Sequence, residues 1–178
     1  GVKVECDEKI YNLEKVKPAD SEIVMSEFSV TGTENIILAG ALNQGEITVK
    51  IAAADPSVQD LCWFLQSMGA EIEGIGTHTL KIKGVKSLKG TEYNIMPDPI
   101  ETGTFISLAG VTKSKLNITQ AAPQFLALEL EKFKEVGLKI KINYLDLSPS
   151  KNYRLANIEV DGKVDLQAAG KIHDMPHP

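Results

Sequence analysis

Phe28-Ser29-Val30-Thr31-Gly32-Thr33-Glu34-Asn35, set between a strand-like run at Glu22 to Met25 and an apolar run at Ile36 to Leu42, decides how the rest of the chain is read. Thr31 and Glu34 have the spacing of a capping box, in which a hydroxyl and a carboxylate satisfy free amides at a helix start. That spacing predicts a helix over 33–42. Gly32 allows a partner to approach the backbone closely. A strand, a tight turn and an open helix N-terminus can together receive a phosphate or the polar edge of a sugar. The plainer reading of the same residues is an ordinary capped helix.

The second half repeats the design. Met96-Pro97-Asp98-Pro99-Ile100-Glu101-Thr102-Gly103-Thr104-Phe105 follows a strand-like run at Glu92 to Ile95. Asp98 is the expected cap, Pro99 the first helical residue and Glu101 the second member of the box. Further matches follow in order: Ala39-Gly40 with Ala109-Gly110, Ile47-Thr48-Val49 with Leu116-Asn117-Ile118, and Gly69-Ala70-Glu71-Ile72 with Gly137-Leu138-Lys139-Ile140. A repeat of about 70 residues, ordered strand–helix–strand–helix–strand with a hairpin closing at least the first copy, accounts for them. Such a unit leaves apolar helix and strand faces uncovered, so units must pack on one another.

Between these anchors the patterns are local. Val2 to Cys6 and Ile10 to Leu13 read as short strands, and Pro18 sits in a polar connection. Asp55 as cap and Pro56 as first residue open a helix whose Val58, Leu61, Cys62, Leu65 and Met68 form one buried stripe, widened by Trp63 and Phe64 and ended by Gly69. Gly74-Ile75-Gly76-Thr77-His78 has the glycine spacing of a dinucleotide loop, but no helix follows it. A hairpin turn is expected there, with His78 solvated at its tip. Val85 to Gly90 reads as a solvated lysine-rich loop. A helix over 123–136 buries Leu126, Leu130 and Phe133, and Leu138, Ile140 and Ile142 alternate on a strand. Leu155 to Val160 is expected to pair with Val164 to Leu166 around Asp161-Gly162.

Composition narrows the function classes. The chain has 178 residues, 43% hydrophobic and 24% charged, with a net charge of −5. That is a soluble, globular composition with room for a real core. The basic residues are lysines apart from Arg154, which argues against nucleic acid and against a basic membrane patch. No apolar run approaches the roughly 20 residues of a membrane span. Cys6 and Cys62 are too few and too far apart for a disulfide framework or a metal site, so reduced, cytoplasmic residence is expected. Opening on Gly1 and ending on Pro-His-Pro, the sequence reads as an internal piece of a longer protein.

SVTGTEN at 29–35 and PDPIETGTF at 97–105 together resemble the UDP-N-acetylglucosamine 1-carboxyvinyltransferases, a resemblance that runs from near Gly1 to the Pro-His-Pro at Pro178. It implies an α/β (α+β) fold, an inside-out α/β barrel of such repeats with helices inside and sheets outside, incomplete here. Residues 1–96 would be the last part of the first, cysteine-loop domain and 97–178 the first part of the second. The implied activity moves enolpyruvate from phosphoenolpyruvate to the 3-hydroxyl of UDP-N-acetylglucosamine, an early step of peptidoglycan synthesis, with no cofactor. The implied partners are those two substrates and the remainder of its own chain.

The family's catalytic lysine, cysteine, aspartate and phosphate-binding arginines fall in segments outside these residues, so none here inherits a catalytic role. What carries over is substrate binding: Glu27, Phe28, Ser29 and Val30, with Thr31 beside them, would line the nucleotide-sugar site. Many relatives have lysine at the position of Glu27, arginine at Ala54, glutamate at Ser57 and arginine at Pro99, so this chain lacks those charges. Two rivals stay open: the sister shikimate-pathway enolpyruvyl transferase, and a non-catalytic nucleotide-sugar-binding module.

Overall fold

A computed structural model describes residues 2–7, 9–15 and 20–172. Pro18 and the Pro-His-Pro ending lie outside them. Residues up to Glu92 cluster in one compact unit and those from Tyr93 in a second.

In the first unit, β1 (Val2–Asp7) and β2 (Ile10–Lys15) form an antiparallel pair with Cys6 opposite Tyr11. A four-stranded sheet follows from β3 (Ser21–Val24), β4 (Glu46–Lys50), β5 (Glu71–Glu73) and β6 (Thr79–Lys83), in the order β3-β4-β6-β5. β3 runs parallel to β4 through the crossover helix α1 (Val30–Ala41), whereas β6 lies antiparallel between β4 and β5. Alternation along the strands sends Ile47, Val49, Ile72, Leu80 and Ile82 to one face. There they meet Ile37 and Ala41 of α1 and Val58, Cys62 and Leu65 of α2 (Pro56–Ser67). Full burial of one side chain such as Ile37 contributes about 1.5–3 kcal/mol. The opposite face is charged and paired across strands, Lys50 with Glu22 at 2.9 Å and Lys83 with Glu71 at 3.0 Å.

From its first helix on, the second unit has the same order. α3 (Pro99–Val111) leads to β7 (Lys115–Ala121), a 3-10 turn at Pro123–Leu126, α4 (Ala127–Glu135), β8 (Lys139–Leu147) and β9 (Arg154–Asp161). Its three-stranded sheet, β7-β9-β8, reproduces β4-β6-β5 with β9 again antiparallel between its neighbours. Ile106, Ala109, Leu130, Leu138, Ile158 and Val160 make its core. The repeat read from the sequence is therefore present from its first helix onward, the leading strand occurring in the first copy only among the described residues, and both copies end in the hairpin.

The copies correspond position by position. Ser29 and Asp98 are the N-caps, Thr33 and Thr102 the buried threonines four residues on, and Gly69 and Gly137 the left-handed residues after the second helix (φ 104° and 96°). Ile51 and Gln120 each adopt a left-handed φ, 59° and 57°, at the end of the first strand of the hairpin sheet. For β-branched Ile51 that is a strained conformation. Its recurrence at the same place marks it as a requirement of the repeat.

Several local expectations are corrected. The helix begins at Val30, and its cap is Ser29 rather than Thr31, because the Ser29 hydroxyl accepts the Gly32 amide at 3.1 Å. Thr31 lies inside the first turn, and Glu34 accepts from the Ser57 hydroxyl at 3.2 Å instead of closing a box. Small residues on the buried face align as Gly40 with Ala109 and Ala41 with Gly110, one position from the match read in the sequence. Asp55 does stand at the cap of α2, without a side-chain hydrogen bond to it. Residues Glu92 to Ile95 form no strand, and the helix expected over 123–136 is split by its 3-10 start. Val164 to Leu166 is not a strand either. β9 pairs with β7 and β8, and Gly162 turns its amide to Ser114 O at 2.8 Å.

Candidate functional site

The stretch singled out by sequence is the corner between β3 and α1. Glu27 is exposed in the bend, and Ser29 N donates to Glu27 O at 3.0 Å, which tightens the corner. Phe28 is 42% exposed. Ser29 sits in extended conformation (φ −99°, ψ 116°), the geometry that lets its side chain reach back to Gly32 N. Val30 is half-buried against the core and Thr31 is exposed, its carbonyl accepting from Asn35 Nδ2 at 2.8 Å. All five predicted residues are thus contiguous on one corner and one helix start.

Helical geometry gives the Val30 and Thr31 amides no acceptor inside the helix. Those two N–H groups, with the hydroxyl hydrogen of Ser29, are the donors this corner offers. The cap is neutral and the first turn of α1 holds no acidic residue, so no carboxylate of the cap or of that turn offsets the positive end of the helix dipole. The second repeat differs here. Its cap is Asp98, which accepts from Ile100 N at 2.8 Å and Glu101 N at 3.4 Å, and Glu101 adds a further carboxylate in the first turn. Of the two equivalent helix starts, the first is the one suited to an anionic or oxygen-rich ligand.

The corner is braced from the end of β4. The Thr33 hydroxyl, fully buried, donates to Ser29 O at 2.7 Å and accepts from Ala53 N at 3.0 Å. Gly32 lies under Met25, so close that a Cβ there would come within 2.8 Å of Met25 Cε. One residue before Ala53, Ala52 donates its amide to His78 O at 3.1 Å, and Ala52 O is 2.9 Å from His78 Nδ1. The His78 ring lies 4.5 Å from that of Phe28, centroid to centroid, inclined by 53°. His78 is therefore not simply a solvated turn residue. Sequence reasoning missed it because the contact joins residues far apart in the chain, and only the glycine-flanked hairpin signalled that something was being presented there.

Cys62 is fully buried, and desolvation pushes its thiol up to about 12, so it stays neutral and unreactive. Cys6 is exposed on β1.

The family model described as EPSP synthase (3-phosphoshikimate 1-carboxyvinyltransferase) matches residues 1–178. The chain belongs to that family. The UDP-N-acetylglucosamine 1-carboxyvinyltransferase of Treponema denticola is 37% identical over all of this chain, which spans 41% of that relative's length. Its namesake in Hydrogenovibrio crunogenus is 43% identical over 76% of the chain and 32% of the relative, and that of Shewanella halifaxensis 46% over 67% and 29%. Among solved structures, EPSP synthase from Acinetobacter baumannii superposes with a TM-score of 0.68 at 17% identity, covering 91% of this chain and 37% of that one. The enolpyruvyl transferase NikO from Streptomyces tendae gives 0.67 at 22%, covering 89% and 39%. At those identities the two structures establish the fold, an incomplete enolpyruvyl transferase fold. Among the described residues no helix is long and apolar enough to cross a membrane.

Proposed function

We propose that this chain is part of a cytoplasmic UDP-N-acetylglucosamine 1-carboxyvinyltransferase and carries one wall of its nucleotide-sugar site at Glu27, Phe28, Ser29, Val30 and Thr31. The reaction joins the sugar 3-oxygen to C2 of phosphoenolpyruvate and expels phosphate; the methylene carbon is protonated on addition and gives up a proton on elimination. The observation that carries the reading is the α1 start, which offers two amides without helical acceptors, a hydroxyl and a neutral cap, on a chain aligned over its whole length with a relative of that name. The roles here are binding and orientation: amides and Ser29 hold oxygens of the nucleotide sugar, and the braced corner keeps them fixed. No residue of this chain is assigned the base or the acid.

The remainder of the protein is part of the proposal. Residues 1–96 would close the first domain and 97–178 begin the second. α3 is apolar on its outer side too, with Ile100 80% exposed and Leu108 51%, and α1 leaves Leu38 and Leu42 uncovered. Helices apolar all round are covered in the whole protein. Further repeats of the same chain would cover these.

The test is phosphate release by the full-length protein. Release from phosphoenolpyruvate that requires UDP-N-acetylglucosamine is expected. Release that requires shikimate 3-phosphate instead overturns the reading in favour of the sister enzyme, and binding of the nucleotide sugar without release favours the non-catalytic module. The 178-residue chain by itself is expected to release none, since it holds one arginine and none of the family's catalytic motifs.

A further inference from the structure

We propose that His78 is a positioning residue for nucleotide-sugar binding, acting through Phe28. The inference rests on the function proposed above and deepens it. The corner at Phe28-Ser29 is held by consecutive residues of one strand end. Ala53 reaches Ser29 through the Thr33 hydroxyl, and Ala52 reaches Phe28 through the His78 ring. A carbonyl oxygen only accepts, so the 2.9 Å contact to Ala52 O requires the hydrogen on Nδ1 and fixes the ring's orientation. The reverse bond, Ala52 N to His78 O at 3.1 Å, fixes the His78 backbone as well.

The hairpin that presents His78 is braced internally. The Thr77 hydroxyl donates to Gly74 O at 2.7 Å and accepts from Thr79 N at 3.2 Å, and Gly74 adopts φ 80° with no room for a Cβ. A ring held at both backbone and side chain, on a braced turn, is a stiff support for the residue it touches.

The second repeat shows that the fold does not require this arrangement. Val49 pairs with Leu80 where Ile118 pairs with Ile158, so two residues earlier His78 corresponds to Ala156. The residue before the cap is Phe28 in one copy and Pro97 in the other. The pair occurs only at the helix start with the neutral cap. Removing it leaves the repeat's own bonds in place and frees Phe28, the neighbour of the Ser29 and Val30 donors.

The experiment uses steady-state kinetics of the full-length protein with both substrates, with thermal unfolding of each variant. His78→Ala is expected to raise KM for UDP-N-acetylglucosamine about 2- to 13-fold, the range set by one aromatic contact, with kcat and KM for phosphoenolpyruvate unchanged. His78→Asn, which keeps a donor for Ala52 O but has no ring, should behave like His78→Ala, and His78→Phe, which keeps a ring, should recover much of the loss. Phe28→Ala combined with His78→Ala should be no worse than the poorer single variant, because both remove one contact. An unchanged KM in His78→Ala overturns the proposal. So do additive effects, or a lower unfolding temperature with unaltered KM, which is what a purely structural histidine would give. Should His78→Ala fail to fold, His78→Asn and His78→Phe carry the same comparison. A wild-type protein with no turnover dependent on UDP-N-acetylglucosamine overturns the underlying function and this inference with it, whereas an active wild type with an indifferent His78 removes the inference alone.

Discussion

Ser29 has two separable jobs, and replacing it by alanine and by glycine should pull them apart. Its oxygen accepts the Gly32 amide at 3.1 Å as the cap of α1, and its hydroxyl hydrogen remains available to a bound ligand. The backbone there, φ −99° and ψ 116°, is open to alanine and glycine without strain. Ser29→Ala removes the cap, which costs about 0.5–2 kcal/mol, while glycine at a cap costs only a few tenths, roughly 0.3 kcal/mol. Both variants lose the hydroxyl. If it donates to the nucleotide sugar, each should bind UDP-N-acetylglucosamine more weakly by about 0.5–1.5 kcal/mol, or roughly 2- to 13-fold in Kd.

The pattern to look for is thus equal loss of affinity and unequal loss of stability. Urea unfolding and calorimetric titration of the full-length protein measure the two quantities independently. Wild-type affinity in Ser29→Gly would remove the hydroxyl from the site and leave Ser29 a cap only. Equal stability in the two variants would refute the capping argument. Asp98→Ala provides the comparison in the second repeat, with an expected loss of about 0.5–2 kcal/mol of stability from the cap alone.

Gly162→Ala should destabilise by about 1–3 kcal/mol in urea unfolding, since the added Cβ would lie 2.0 Å from Ala109 O and 2.9 Å from Ser114 O, both backbone atoms that must shift to admit it. Peptide mapping after alkylation near pH 8 should find Cys6 modified and Cys62 protected until denaturant is added, because burial keeps the Cys62 thiol neutral. Asp161 is held below the ordinary carboxylate value, first by the Lys163 amide at 3.0 Å and then by Lys115. A depressed folded pKa stabilises the protein above the unfolded value and is lost as pH falls through the folded one. Asp161→Asn should therefore flatten the fall in stability below about pH 4, seen in acid unfolding curves.

The fold was legible in the sequence where one rule governed and ambiguous where two competed. Asp98-Pro99 admits one helix start, and the cap lies where it was read. Ser29 and Thr31 are both acceptable caps, and tertiary structure decides between them: only a helix beginning at Val30 places the Thr33 hydroxyl between Ser29 O and the buried Ala53 amide. Asp161-Gly162 has the local signature of a hairpin turn, yet Gly162 is there because its backbone passes against Ala109 and Ser114. The insertion of β9 between β7 and β8 is likewise a long-range pairing that no local window contains. At the candidate site the contiguous residues 27–31 could be named from the chain, but His78 could not, because its contact with Phe28 exists only once β4 and β6 have paired.

The repeat itself separates what the fold needs from what the corner adds. Thr33 and Thr102, Ile51 and Gln120, and Gly69 and Gly137 recur in kind and place, so neither a strained Ile51 nor a buried hydroxyl is by itself a sign of function. The strain at Ile51, about 1–3 kcal/mol, sits beside the candidate site, but its recurrence in a unit with a different helix start assigns it to the fold. The differences gather at one place. Ser29 replaces an acidic cap, Phe28 replaces Pro97, His78 replaces Ala156, and the first helical turn is free of carboxylates. Ala156 is fully buried where His78 is exposed, and together these differences change the charge, the apolar support and the donors of one helix start. Under the proposed function, differences between copies of one unit that gather around the donors of one helix start are what selection for a ligand there, rather than for stability, would produce.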